Sequence, residues 1–173
     1  MFSKYDVYTT VQSVYCYSRT DVLKNKLNIR DNVLLKKAEE EITSIKQMKL
    51  IDDLHEKGAE VLISTHIHTY TPAQRVLKIA LEHQRRGSDI AKIVTGASTM
   101  EEQLENLKII NLLKENLKIP FLFLAGGECH ILRRIGGELG NCMCLCVHED
   151  NDLATPVQPL LKHVKAIRDN MKG

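Results

Sequence analysis

Apolar and polar positions follow two alternating periods along this chain. From Val33 to Lys57, Leu, Ile, Glu and Lys recur at helical spacing, and Gly58 supplies a C-terminal stop. Glu60-Val-Leu-Ile-Ser-Thr65 then reads as a short buried strand. Thr71-Pro72 opens a second helix, with Pro72 expected at its first helical position, where a missing N–H costs nothing. That helix runs through Leu77 and Leu81 to Arg86 and stops at Gly87. Asp89 to Val94 is a second strand, and Ser98-Thr-Met-Glu101 reads as a capping box that starts a helix ending near Glu115. Pro120 to Ala125 is a third strand. A Gly126-Gly127 loop, a short helix over 130–139, a fourth strand from Cys142 to Val147 and a helix from Pro156 to Met171 complete the pattern.

Strands alternating with helices imply parallel βαβ units. The expected class is α/β, of the (β/α)8 TIM-barrel type. Residues 1–173 read as a single domain without an obvious linker. A full barrel typically takes about 250 residues and rarely fewer than ~200, so the N-terminal part is expected to be reduced or incomplete. Val7 to Tyr17 alternates β-branched and aromatic residues like a strand, whereas Asp21 to Asn32 is polar and fits no element. An incomplete barrel has two sheet edges open to unwanted pairing. Those edges are expected to be covered by Val7–Tyr17 or by another subunit.

Composition narrows the function. The 173 residues carry 24 Lys and Arg against 22 Asp and Glu, a formal charge of +2 with neutral histidines. This balance has neither the basic excess nor the basic stripe of a nucleic-acid binder. No run approaches the ~18 apolar residues of a membrane span. Met1 to Tyr17 has no basic n-region followed by an apolar h-region, so a secretory leader is not expected. Five cysteines are an odd number, and reduced thiols in a cytoplasmic protein are the better reading.

A few residues stand out as chemistry. Lys92 interrupts an apolar strand. It is either a strand-end lysine reaching for water or an amine desolvated enough to lose its proton and attack a carbonyl. His66 follows directly after a strand and His68 comes two residues later. In parallel α/β folds this is the strand end where catalytic groups sit. A metal pair is disfavoured, because no carboxylate or further ligand lies at typical spacing. Cys142, Cys144, Cys146 and His148 alternate along one segment. Ligands on a single strand surround a tetrahedral ion poorly, so small buried core residues are the favoured reading. The lone Gly126-Gly127 pair makes no dinucleotide fingerprint.

Four segments together resemble the type I 3-dehydroquinate dehydratase family. Ile63-Ser-Thr-His-Ile-His-Thr-Tyr-Thr-Pro72 resembles its Ser-x-His-x-Phe-x-x-Thr-Pro segment. Gly87-Ser-Asp-Ile-Ala-Lys-Ile93 resembles its Gly-Ala-Asp-Ile-x-Lys-Ile strand. Pro120 through Arg134 matches the interval from a proline to the family's Ser-Arg pair, and Thr155-Pro-Val-Gln158 resembles Ala-Pro-Gly-Gln. Order and spacing agree over residues 45–170. The resemblance implies dehydration of 3-dehydroquinate to 3-dehydroshikimate in the shikimate pathway, with no metal or organic cofactor, and a homodimer. It implies Lys92 as the Schiff-base lysine, His66 as the proton-transfer histidine, and Arg134 and Gln158 as substrate-binding residues.

Departures accompany the likeness. The family's Phe is His68 here, its Ser before the arginine is Arg133, its glycine four before that arginine is His130, and its last-loop Ser is Ala154. The family pairs its histidine with a glutamate from an earlier strand. The nearest match, Lys24-Asn-Lys-Leu-Asn28, places Lys26 there. Two other readings therefore stay open: a non-catalytic relative that binds a quinate-like ligand or a protein partner, and another Schiff-base lyase resting on Lys92 alone.

Overall fold

The computed structural model describes residues 7–11, 32–150 and 157–171, with side chains over 44–150 and 157–171. In chain order the elements are β1 (Val7–Val11), α1 (Asn32–His55), β2 (Glu60–His66), α2 (Ala73–Arg85), β3 (Ile90–Ala97), α3 (Met100–Asn116), β4 (Phe121–Gly127), α4 (Leu132–Leu139) and α5 (Leu161–Met171). The strands form one sheet in the order β1-β2-β3-β4, every neighbouring pair parallel. Helices return the chain between strands, so each new strand lies beside the last. This is an arc of a (β/α) barrel. Residues 12–31, which include the polar stretch and Lys26, lie outside the described residues, as does the 12–17 part of the expected N-terminal strand. Val7–Val11 does pair with the open edge of β2, Val7 opposite Glu60.

The two faces of the sheet follow from the period of two along a strand. Val61 and Ile63 of β2 pack with Ile51 of α1. Ala91 and Ile93 of β3, with Phe121, Phe123 and Ala125 of β4, pack against Val76 and Ala80 of α2 and Ile109 and Leu113 of α3. Full burial of each large side chain in this layer is worth about 1.5–3 kcal/mol. The alternate positions, Leu62, Ser64 and His66, then Lys92 and Val94, then Leu122 and Leu124, face the opposite way. That inner face carries Ser64, His66 and Lys92. Positive φ at Gly58 (77°) and Gly87 (90°) closes the turns after α1 and α2, a conformation glycine adopts without strain.

Several expectations need correction. Pro72 is the N-cap of α2 rather than its first helical residue. The capping box lies one residue later than predicted. Thr99 caps α3, its Oγ1 accepting from the Glu102 N–H at 3.2 Å, while Glu102 accepts from the N–H groups of Ser98 and Thr99. The helix predicted from Pro156 begins only at Leu161. Val147 N–H donates to Pro159 O, and Leu161 N–H donates to Val147 O, a bridge centred on Leu160 just before the helix.

The strand predicted over Cys142–Val147 is not formed. Apart from that single bridge between Val147 and Leu160, the segment carries no ladder. The cause lies one residue earlier. The buried Asn141 donates from Nδ2 to Phe123 O at 2.9 Å, and its Oδ1 accepts from Phe123 N–H at 2.8 Å. A side-chain amide thus takes the edge groups a fifth strand would use, and only Cys142 N–H reaches Phe121 O. Nor are these cysteines core residues. Cys142 and Cys144 are exposed, Cys146 is half-buried, and all three are free thiols, as is Cys129.

Candidate active site

β2 ends in His66 and β3 carries Lys92 in its middle. Both positions belong to the inner face, and the parallel register sets Lys92 opposite Ser64 and His66 opposite Val94. The two side chains therefore rise on neighbouring strands one inner-face step apart. They line a cavity of about 420 Å³ together with His68, Arg133 and Gln158. Its apolar walls include Val94, Leu124 and Leu145.

Loop geometry fixes His68. Beyond β2 the chain keeps bonding to β3, with Ile67 N–H to Val94 O at 2.7 Å and Gly96 N–H to Thr69 O at 3.0 Å. A Cβ at Gly96 would stand 2.7 Å from His68 O, so only glycine lets the loop lie this close.

Arg133, in the first turn of α4, donates from Nε to Ala125 O at 2.9 Å. That bond swings the guanidinium over the end of β4 and into the cavity. Arg134 does not join it. It lines a separate, larger cavity of about 1000 Å³, walled by Glu138, Cys142, Cys144, Cys146 and Lys165. One helical step turns a side chain by about 100°, so adjacent residues face different spaces. The structure thus brings together His66, Lys92 and Gln158 but sets Arg134 apart, with Arg133 in the place expected of it. The interval from Pro120 could not separate two consecutive arginines.

The charges in the cavity act on one another. Burial, then the Arg133 guanidinium, lowers the Lys92 pKa from the ordinary lysine value. Burial also lowers that of Arg133. His66 is lowered first by partial desolvation of its ring, then by Lys92, His68 and Arg133. The Lys92 and His66 shifts favour uncharged lysine and imidazole, the forms that can attack a carbonyl or accept a proton. No acidic side chain lines the cavity among the described residues. His66 Nε2 instead lies 2.9 Å from the Oγ of buried Ser64. Sequence reading placed Ser64 in the Ser-x-His segment but gave it no role. Among the described residues, no group of three or more His, Cys, Asp or Glu side chains is placed to hold a metal ion.

The comparisons with known proteins agree with this fold. A model of the type I 3-dehydroquinase family matches residues 20–172. A 3-dehydroquinate dehydratase of Alkaliphilus oremlandii is 35% identical over 92 residues, which are 52% of this chain and 36% of that protein. Among solved structures, 3-dehydroquinate dehydratase from Geobacillus kaustophilus superposes with TM-score 0.66 at 20% identity, over 74% of this chain and 51% of that one. A type I enzyme from Clostridium difficile, carrying covalently modified comenic acid, gives TM-score 0.66 at 18% identity, over 73% and 50%. The Aquifex aeolicus enzyme gives 0.60 at 23%, over 73% and 55%. The chain spans about half the length of these solved proteins and about a third of the curated relative.

Proposed function

The chain belongs to the type I 3-dehydroquinase family, and on that premise we propose that its cavity binds 3-dehydroquinate and dehydrates it to 3-dehydroshikimate through a Schiff base on Lys92. The observation that carries this reading is the placement of Lys92 and His66 on adjacent strands, facing one cavity.

The chemistry follows from the groups present. The neutral Lys92 amine attacks the ketone carbon, and the adduct loses water to give an iminium. Its positive nitrogen withdraws electrons and acidifies the neighbouring C–H. Loss of that proton and departure of the β-hydroxyl as water form the double bond. A further water then hydrolyses the imine and frees Lys92, so one water is lost overall. His66 serves proton transfer, a contribution of typically ~10²–10⁴-fold. Arg133 offers N–H donors to the substrate carboxylate, and Gln158 contacts substrate from the opposite wall. None of these steps calls on a metal or organic cofactor.

One observation favours the second reading, a non-catalytic relative that only binds such a ligand. Among the described residues the side chain that partners His66 is a hydroxyl and not a carboxylate, and a hydroxyl stabilises the imidazolium far less. Borohydride decides between them. Reduction in the presence of 3-dehydroquinate adds substrate mass irreversibly to Lys92 if the imine forms. Binding without added mass supports the non-catalytic reading. A homodimer and a cytoplasmic location complete the proposal and rest on the family resemblance and the thiol content. Sedimentation of the purified chain tests the first. No helix among the described residues is long and apolar enough to cross a membrane.

A further inference from the structure

Ser64 sits on the inner face of β2, 3% exposed, directly opposite Lys92. Its hydroxyl has a single hydrogen-bond partner among the described residues, His66 Nε2 at 2.9 Å. A hydroxyl carries one donor and two acceptor sites, whereas a neutral imidazole has one donor and one acceptor nitrogen. Two arrangements are possible. If His66 carried its proton on Nε2, that N–H would donate to Ser64, and the buried Ser64 O–H would have no acceptor. If the proton is on Nδ1, Ser64 O–H donates to the Nε2 lone pair and both groups are satisfied. An unmet buried donor is the more costly outcome.

We propose that Ser64 is a positioning residue that holds His66 as the Nδ1–H tautomer, so that its Nε2 lone pair is tied to the strand. In this state His66 keeps an N–H donor at Nδ1, and it shares the cavity lining with Lys92 and Arg133. Proton removal by Nε2 then requires the Ser64 bond to open first. The catalytic consequence rests on the Proposed function above, whereas the tautomer itself does not. Ser64 acts through His66 and does not line the cavity.

The test is ¹⁵N NMR of the full chain with labelled histidine, at a pH where His66 is neutral, with the His66 signals assigned by their loss in His66→Gln. The expected spectrum shows a protonated Nδ1 and a bare, hydrogen-bonded Nε2. Ser64→Ala removes the donor, and the expected result is a shift of population toward Nε2–H. Ser64→Thr keeps a hydroxyl and restores the Nδ1–H form. An Nε2–H tautomer in the unmodified chain overturns the proposal without recourse to any variant. So does a tautomer unchanged by Ser64→Ala. None of these readouts depends on turnover, so a failure to trap substrate on Lys92 would sink the enzymatic reading while leaving this one standing.

Discussion

The Asn141 side chain doubles as a strand for Phe123, exchanging two hydrogen bonds with its backbone at 2.8 and 2.9 Å. This closes part of the outer edge of β4, where no further ladder forms among the described residues. Asn141→Ala leaves a buried N–H and a buried C=O unpaired, at about 1–3 kcal/mol each. We expect a loss of about 2–4 kcal/mol in urea unfolding at unchanged m-value. A loss below about 0.5 kcal/mol would show that another group already serves that edge.

Stability should fall with acid in two stages. Buried His83 bonds Thr65 Oγ1 through Nε2 at 2.8 Å, and burial lowers its pKa from 6.5 to about 4. The unfolded chain therefore takes up this proton first. The neutral-histidine stability is complete above pH 6.5 and is lost as pH falls toward about 4. The shift corresponds to as much as about 3 kcal/mol. Glu82, held by Arg85 and Arg86, has its pKa lowered from 4.5 to about 2. Its contribution is present above pH 4.5 and is lost as pH falls toward about 2. A Tm-against-pH curve should show both limbs, and His83→Gln should flatten the one between 6.5 and 4. An unchanged upper limb in that variant would remove His83 from the account.

Gly96 should resist even one added carbon. Its Cβ would meet His68 O at 2.7 Å, a backbone atom that cannot yield without moving the loop. Gly96→Ala is expected to destabilise by about 1–3 kcal/mol and to broaden or shift the His68 resonances. Unaltered stability and unaltered resonances would mean that the loop does not rest on β3.

Two consecutive arginines give a sharp contrast. Charged hydrogen bonds are worth about 1.5–3 kcal/mol, so Arg133→Ala should raise the half-saturating 3-dehydroquinate concentration for trapping about 10–100-fold. Arg134→Ala should leave it within about twofold. The reverse ranking would restore the role that interval counting assigned to Arg134.

That contrast marks how far sequence reading reached. β2, β3 and β4 were legible because their apolar runs end at glycine, proline or a capping threonine, and a buried strand needs little else to declare itself. His66 and Lys92 were legible because each breaks such a run at a strand end or on the inner face. Arg133 was missed because a spacing argument carries an error of one residue, and on a helix one residue is a quarter-turn. Cys142–Val147 alternates like a strand, but alternation says only which way side chains would point. It cannot show that Asn141 has taken the neighbouring hydrogen bonds. Ser64 stood in the Ser-x-His segment, but a shared motif position says nothing of a bond to His66, which depends on both side chains rising on one strand face.

The most direct test is mass spectrometry after borohydride reduction with 3-dehydroquinate. The account predicts one substrate-derived adduct, mapped to Lys92, abolished in Lys92→Ala and retained in His66→Ala while turnover is lost. An adduct that survives Lys92→Ala, or no adduct at all under conditions where 3-dehydroquinate binds, would contradict it.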